Sequence, residues 1–211
     1  MILNMQLKKL FSVTNICKIC FRNIDFGLDD CICDKCFNEL DCIYEKSKIK
    51  NVQVTCVYNY DDVFMKLLYR FKGCFDYELK DVFLSRQRFF LKLKFFDYTI
   101  VPIPSWKEDD EIRGFNHVVE IYKSLNLPIV NCLKKKEKFK QSSLNKRERK
   151  NVKDKLEIVN GSLLRDKEIL IVDDVMTTGS TVKAAIDLIL EYQPKKIQVL
   201  ILARKCRKNK K

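Results

Sequence analysis

The sequence predicts an α/β protein: a parallel sheet flanked by helices, with a small cysteine-rich module at the N-terminus. Three observations predict it. Apolar strand-like runs at 98–104, 169–172 and 197–202 alternate with segments of helical period, the arrangement of a parallel sheet with covered faces. The run 169–172 ends in an acidic pair and a hydroxyl-rich turn that opens a helix. Cysteines crowd the first fifth of the chain.

The module comes first in the chain. Ile2, Leu3, Leu7, Leu10 and Phe11 fit a short amphipathic helix. Cys17-x-x-Cys20 and Cys33-x-x-Cys36 then form two knuckles on either side of a loop containing Gly27. Two such knuckles present four thiolates tetrahedrally, which suits a structural Zn²⁺ with no open position for water. A segment this small has little core, so the metal would supply folding energy. Cys31 and Cys42 lie nearby; only Cys33 completes the two-residue spacing with Cys36. Residues 1–50 are taken as this module and 51–211 as the α/β domain, joined by a polar, basic linker at 46–50.

The α/β domain opens with a strand over 52–60. Asp61 or Asp62 caps a helix with the apolar face Val63, Phe64, Leu67, Leu68 and Phe71, ended by Gly73. A second helix, rich in phenylalanine read as core, spans 82–96. The strand at 98–104 leads through a polar loop carrying Ser105 and Trp106 to Arg113-Gly114-Phe115-Asn116 and a helix through Leu125. A strand follows at 128–133. The charged run 134–151 reads as a solvated loop or surface helix, and a short strand follows at 156–159. Both Pro104 and Asp173 fall at predicted strand C-termini, where ligands bind in open α/β sheets.

The most telling stretch is Asp173-Asp174-Val175-Met176-Thr177-Thr178-Gly179-Ser180-Thr181. Unpaired N–H groups at a helix N-terminus hold phosphate. Gly179 permits close backbone approach, and Thr177, Thr178, Ser180 and Thr181 add hydroxyl donors. The carboxylates of Asp173 and Asp174 accept from sugar hydroxyls or act as hard oxygen ligands that help position Mg²⁺. The stretch is not a Walker A loop: it lacks the Gly-x-x-x-x-Gly-Lys spacing, and its acids precede the turn. It resembles the signature of type I phosphoribosyltransferases, which bind phosphoribosyl diphosphate.

Composition bounds the rest. The chain has 211 residues, is 46% hydrophobic and carries a net charge of +13. That charge favours anionic partners: phosphorylated metabolites, nucleic acid or an acidic protein surface. No apolar run reaches the ~18 residues of a membrane span, and the N-terminus lacks the long apolar stretch and cleavage site of a signal peptide. The expected location is cytoplasmic, which favours thiols and metal thiolates over disulfides.

Four features occur in order: the double knuckle; Val101-Pro102-Ile103-Pro104 with Arg113-Gly114-Phe115-Asn116; Gln141-x-x-Leu144 with Glu148-Arg149 and Asn151-Val152; and the acid-pair turn. Together they resemble the ComF family across nearly the whole chain. The resemblance implies an N-terminal zinc finger, a type I phosphoribosyltransferase-like domain and an association with DNA uptake and natural transformation. It implies that Asp173 and Asp174 hold the ribose hydroxyls and help place Mg²⁺. Thr177 to Thr181 would form the 5′-phosphate loop, with Val175 and Met176 also among the substrate-binding residues, and the loop with Ser105 would take diphosphate. Arg113, Asn116 and Gln141 lie in motif segments without an assigned chemical role. The chain departs from the pattern at His117, where a Gln usually stands, and at Lys138, where a Thr is common. His117, the only histidine, reads as a tolerated replacement near a helix start, and Trp106 as a half-buried loop anchor.

Two functions compete. One is an enzyme that transfers the phosphoribosyl group of phosphoribosyl diphosphate to an acceptor the sequence does not name. The other is a single-stranded nucleic-acid-binding or assembly factor on the same fold, carried by the run 134–150 and the basic tail from Arg204. Uptake proteins are further expected partners.

Overall fold

The computed structural model describes residues 16–24, 31–136 and 156–205. A helix α1 (Asp34–Asn38) is followed by strands β1 (Cys42–Ile49) and β2 (Val52–Asn59), helices α2 (Asp62–Lys72) and α3 (Arg88–Lys94), and strand β3 (Tyr98–Pro102). Then come α4 (Lys107–Arg113), α5 (His117–Lys123), the short strands β4 (Leu133–Lys135) and β5 (Leu156–Ile158), β6 (Glu168–Met176), α6 (Ser180–Leu190) and β7 (Lys196–Arg204). The main sheet has the order β1-β2-β7-β6-β3. Its last four strands are mutually parallel, and β1 is an antiparallel edge.

Period-two alternation sends the strand residues to two cores. Leu170, Val172, Leu200 and Leu202 face one cluster with Phe64, Phe71, Phe83, Phe95 and Tyr122. Ile169, Ile171, Val199 and Ile201 face the other with Val182, Ala185, Ile186 and Ile189 of α6. Both sheet faces are therefore covered, as a parallel sheet requires. The cysteine module packs on the first cluster through Cys17, Ile32, Cys36 and Leu40.

The linker expected at 46–50 is instead the end of β1. Lys46 and Lys48 are exposed while Ser47 and Ile49 turn inward, an edge strand guarded by lysines. Lys50 and Asn51 both have positive φ, 49° and 65°, which gives the two-residue turn whose twist suits a hairpin. Asp61 caps α2, its carboxylate accepting from the N–H of Phe64 at 2.9 Å. Phe64, Leu67, Leu68 and Phe71 are buried as expected, but Val63 is exposed.

The single helix expected over 82–96 is shorter. Ser85 and Gln87 donate their N–H groups to the carbonyls three residues back, Val82 and Leu84. This tighter winding carries the chain to α3. Nor are all its aromatics core: Phe83 and Phe95 are buried, but Phe89, Phe90 and Phe96 are exposed. The strand expected at 128–133 begins only at Leu133, with Ile129 making one isolated bridge to Ile100. The polar loop after Pro104 contains the unforeseen helix α4. The N-terminal helix expected over Met1 to Phe11, Gln141 and most of the run 134–151 lie outside the described residues.

Candidate active site and metal-ligating cluster

The loops after β3 and β6 meet because the strands are neighbours, paired in register from Tyr98 with Glu168 to Pro102 with Val172. Strand β6 runs past its apolar run to Met176, so the acid pair sits inside the strand's last turns of pleat. Asp174 is only 7% exposed. Its Oδ2 accepts from Lys72 Nζ at 2.7 Å and faces His117 Nε2 at 2.9 Å, while Oδ1 accepts the Val175 N–H at 2.6 Å. Asp173 Oδ1 accepts the N–H of Asp174 at 2.9 Å. Tyr122 directs its hydroxyl to the carbonyls of Asp173 and Leu200, each at 3.0 Å, pinning β6 at this point.

His117 is buried and more than a tolerated replacement. Arg113 Nη1 lies 3.2 Å from its Nδ1. A guanidinium only donates, so Nδ1 is the acceptor and the proton sits on Nε2, which donates to Asp174. Arg113 also donates from Nη1 to Asp110 Oδ1 at 2.9 Å and from Nε to the Lys72 carbonyl at 2.9 Å. Asn116 caps α5, accepting from Val119 N–H at 2.9 Å, and its amide donates to Ser105 Oγ at 3.0 Å and Asp110 Oδ2 at 2.7 Å. Ser105 Oγ donates to Asp110 Oδ1 at 2.6 Å. A continuous chain thus joins Ser105, Asp110, Asn116, Arg113, His117, Asp174 and Lys72.

The electrostatics split the two acids. Burial raises the carboxyl of Asp173 well above its usual range, and the charge of Asp174 adds to this. Burial also works against ionised Asp174, but the hydrogen bond from His117 and the charge and hydrogen bond of Lys72 outweigh it and hold Asp174 well below the usual carboxylate range. Asp174 is the anchored anion; Asp173 is the acid without a cation of its own.

Beyond the pair, Thr177, Thr178 and Ser180 are exposed and Gly179 is buried. Gly179 caps α6 at φ 74°. A Cβ there would lie 3.0 Å from Ile49 Cδ1, so both conformation and space favour glycine. Thr178 Oγ1 and Ser180 Oγ are 2.8 Å apart. Thr181 is half-buried. Val175 and Met176 are strand residues, and Met176 packs into the core under Gly179. An open cleft of about 760 Å³ adjoins the Ser105 loop, lined by Trp106, Asp110, Asn116, Leu133, Lys135 and others. Trp106 is half-buried, as expected, with Lys135 Nζ 4.7 Å from its ring centroid.

Sequence reasoning missed Lys72, Asp110 and Lys135. The Asp110–Arg113 spacing is an i,i+3 pair that helix α4 would have revealed. Lys72 carries no such signal, because its partner Asp174 is distant in sequence.

Cys17, Cys20, Cys33 and Cys36 bring their sulfurs within 4.8 Å of one another, a set that could hold zinc. Tetrahedral Zn–S bonds of about 2.3 Å place sulfurs about 3.8 Å apart, and Cys20 and Cys33 stand at 3.7 Å. Burial opposes ionisation of Cys17, but N–H groups of Cys33, Cys20 and Ile19 outweigh it and lower its pKa to about 6. Burial and the neighbouring thiols push Cys36 up. Cys17 forms a thiolate readily and Cys36 resists, a conflict that a dication relieves. Cys31 and Cys42 stand apart: Cys31 faces the Asp81 carbonyl at 3.6 Å, and Cys42 accepts from Gln87 at 3.7 Å. Lys18 ties the module to Asp81 at 2.8 Å and Glu78 at 3.1 Å.

A family model for the phosphoribosyl transferase domain matches residues 113–211. The sheet and this match define the class: a mostly parallel α/β fold of the type I phosphoribosyltransferase kind, with a cysteine cluster before it. Competence protein ComFC of Streptococcus pneumoniae is 27% identical over 197 residues, covering 83% of this chain and 89% of that protein. Competence protein ComFC of Bacillus subtilis is 31% identical over 157 residues, covering 72% of this chain and 65% of that protein. These relatives bear out the resemblance to the ComF family over most of the chain. Solved structures similar to this chain include a hypoxanthine-guanine phosphoribosyltransferase of Bacillus anthracis, 15% identical, covering 63% of this chain and 72% of that one, with a TM-score of 0.41. Another is a purine phosphoribosyltransferase of Pyrococcus horikoshii, 21% identical, covering 59% and 73%, with a TM-score of 0.37. Among the described residues no helix is long and apolar enough to cross a membrane.

Proposed function

We propose that the protein binds phosphoribosyl diphosphate with Mg²⁺ at the C-terminal edge of its sheet and serves as a phosphoribosyltransferase. The observation that carries this reading is the acid pair of β6 running directly into a glycine-capped turn and the N-terminus of α6. The α6 N–H groups and the hydroxyls of Thr177, Thr178, Ser180 and Thr181 take the 5′-phosphate. Asp173 accepts from the ribose hydroxyls, and Asp174 holds that end of the strand in place through His117 and Lys72. The carboxylate oxygens of the pair suit Mg²⁺, which supplies charge neutralisation for the diphosphate when bound. Ser105, Arg113 and Asn116 act by shaping the loop on the diphosphate side, since their donors are engaged by Asp110, Ser105, His117 and the Lys72 carbonyl. Gln141 belongs to the same reading. The reaction itself needs positioning and charge stabilisation rather than a side-chain nucleophile.

The four thiolates hold one structural Zn²⁺. The division into an N-terminal module, 1–50, and a phosphoribosyltransferase-like domain, 51–211, is part of the reading, with β1 reaching from the first into the sheet of the second. A cytoplasmic location agrees with metal thiolates. The two relatives' name, competence protein, supports a link to competence, and a role in DNA uptake is part of the same reading.

Calorimetric titration with phosphoribosyl diphosphate tests the site. Saturable binding that tightens with Mg²⁺ is expected; no binding with Mg²⁺ present contradicts the reading. A second reading, single-stranded nucleic-acid binding, is favoured by the net charge of +13 and by Lys134 and Lys135 on the cleft wall.

A further inference from the structure

The cations around the acid pair are unequally committed. Lys72 is paired with Asp174, and Arg113 with Asp110. Lys107 lies 3.6 Å from Glu111. Lys135 forms no ion pair among the described residues, yet it is half-buried on the cleft wall, at the end of β4. Its ammonium lies on the face of Trp106, 4.7 Å from the ring centroid. Burial lowers its pKa, while Asp173, Asp109, Asp110 and Asp174 are the charges that act on it. It lines the same cleft as the Ser105 loop and feels the charge of the acid pair. The side-chain donors of that loop are used internally: Ser105 donates to Asp110, and Asn116 to Ser105 and Asp110. A diphosphate placed there finds few side-chain donors besides a lysine that is free to turn.

Resting on the phosphoribosyl diphosphate reading above, we propose that Lys135 is the specificity-determining cation for the diphosphate group, parked on the Trp106 ring and leaving it to pair with that group. An aromatic face holds a partly exposed cation more weakly than a charge-assisted bond to an anion does. The park is thus strong enough to keep the ammonium in the cleft and weak enough to release it. Exposed Lys134 on the same strand has no such contact in this structure.

Trp106 is the only tryptophan in the chain, so all tryptophan fluorescence comes from the ring that Lys135 faces. The test titrates the metal-loaded full chain with phosphoribosyl diphosphate, inorganic diphosphate and ribose 5-phosphate, each with Mg²⁺, reading tryptophan emission and calorimetric affinity. In the parent, the two diphosphate ligands change the emission and ribose 5-phosphate binds without doing so. Lys135→Met weakens phosphoribosyl diphosphate by about tenfold to a hundredfold, the range of a lost charged hydrogen bond. It leaves ribose 5-phosphate within about twofold, and Lys134→Met changes neither. Equal affinity of Lys135→Met and parent for phosphoribosyl diphosphate overturns the proposal, as does a parallel loss of both ligands. Should Lys135→Met not fold, the parent decides: an emission unchanged by diphosphate, or changed equally by ribose 5-phosphate, overturns it. Failure of the underlying site reading looks different, because then the parent binds neither sugar phosphate.

Discussion

At Asp173 and Asp174 two identical side chains in adjacent positions acquire opposite roles. Asp174 has two donors from side chains and one from the backbone, so its ionised form is favoured. Asp173 shares the burial without a cation of its own. Asparagine substitutions should therefore split. Asp173→Asn removes a costly buried charge beside another and should raise stability near neutral pH. Asp174→Asn leaves Lys72 and His117 without their acceptor and should destabilise by about 1–3 kcal/mol. Urea denaturation of both variants checks this, and equal shifts would count against the assignment. The acid limb follows the same logic. The folded-state pKa of Asp174 is depressed, so its contribution is complete above about 3.9, the unfolded value, and is lost as pH falls below it. The raised carboxyl of Asp173 works the other way, favouring the fold where it is protonated and losing that contribution as pH rises through its folded-state value. The acid pair was legible in the sequence because strand, acids and turn are contiguous. Its division of labour was not, because Lys72 and His117 reach Asp174 from 102 and 57 residues away.

At the scale of elements, legibility followed contiguity again. The α2 cap at Asp61 and its end at Gly73, the turn into α6 and the run of β7 are local patterns, and each appears where expected. Strand β1 and helices α3 and α4 were misread. The inward residues of β1 alternate with lysines that look like a linker, and the phenylalanines around α3 suggest a longer buried helix. Helix α4 is polar except for the exposed Ile112, with no buried residue to betray it. Gly179 is the element-level test. Gly179→Ala places a Cβ at φ 74° and 3.0 Å from Ile49, which should cost about 1–2 kcal/mol. It should also weaken sugar-phosphate affinity more than that strain explains, since the turn itself carries the phosphate. A thermal scan with a ligand titration reads both, and undiminished affinity would detach the turn from the site.

Over the whole molecule, a cysteine module that could hold zinc, a doubly covered sheet and a basic charge are combined in one chain. Chelation at neutral pH should disorder the cysteine module while the sheet persists, seen as new hydrogen exchange over 31–42 with β6 and β7 still protected. Loss of protection throughout would show that the module and the sheet fold as one unit. Bound metal should also be released on acidification, at a pH below the value of about 6 at which the metal-free Cys17 thiolate is protonated. If the charge serves nucleic acid, single-stranded DNA affinity should fall several-hundredfold over a tenfold rise in salt, for about four phosphate contacts. No detectable binding at low salt would assign the lysines to solubility alone. The basic tail should carry part of that slope, though Arg204 is already paired with Glu45 at 3.2 Å and contributes less than its position in the sequence suggests. The central claim is that the acid pair serves a sugar phosphate rather than the fold alone. The measurement that tests it most directly is the affinity of Asp173→Asn for phosphoribosyl diphosphate with Mg²⁺, on protein shown by denaturation to be at least as stable as the parent. The account predicts a loss of tenfold or more, about 1.4 kcal/mol. A folded variant that binds as tightly as the parent would contradict it.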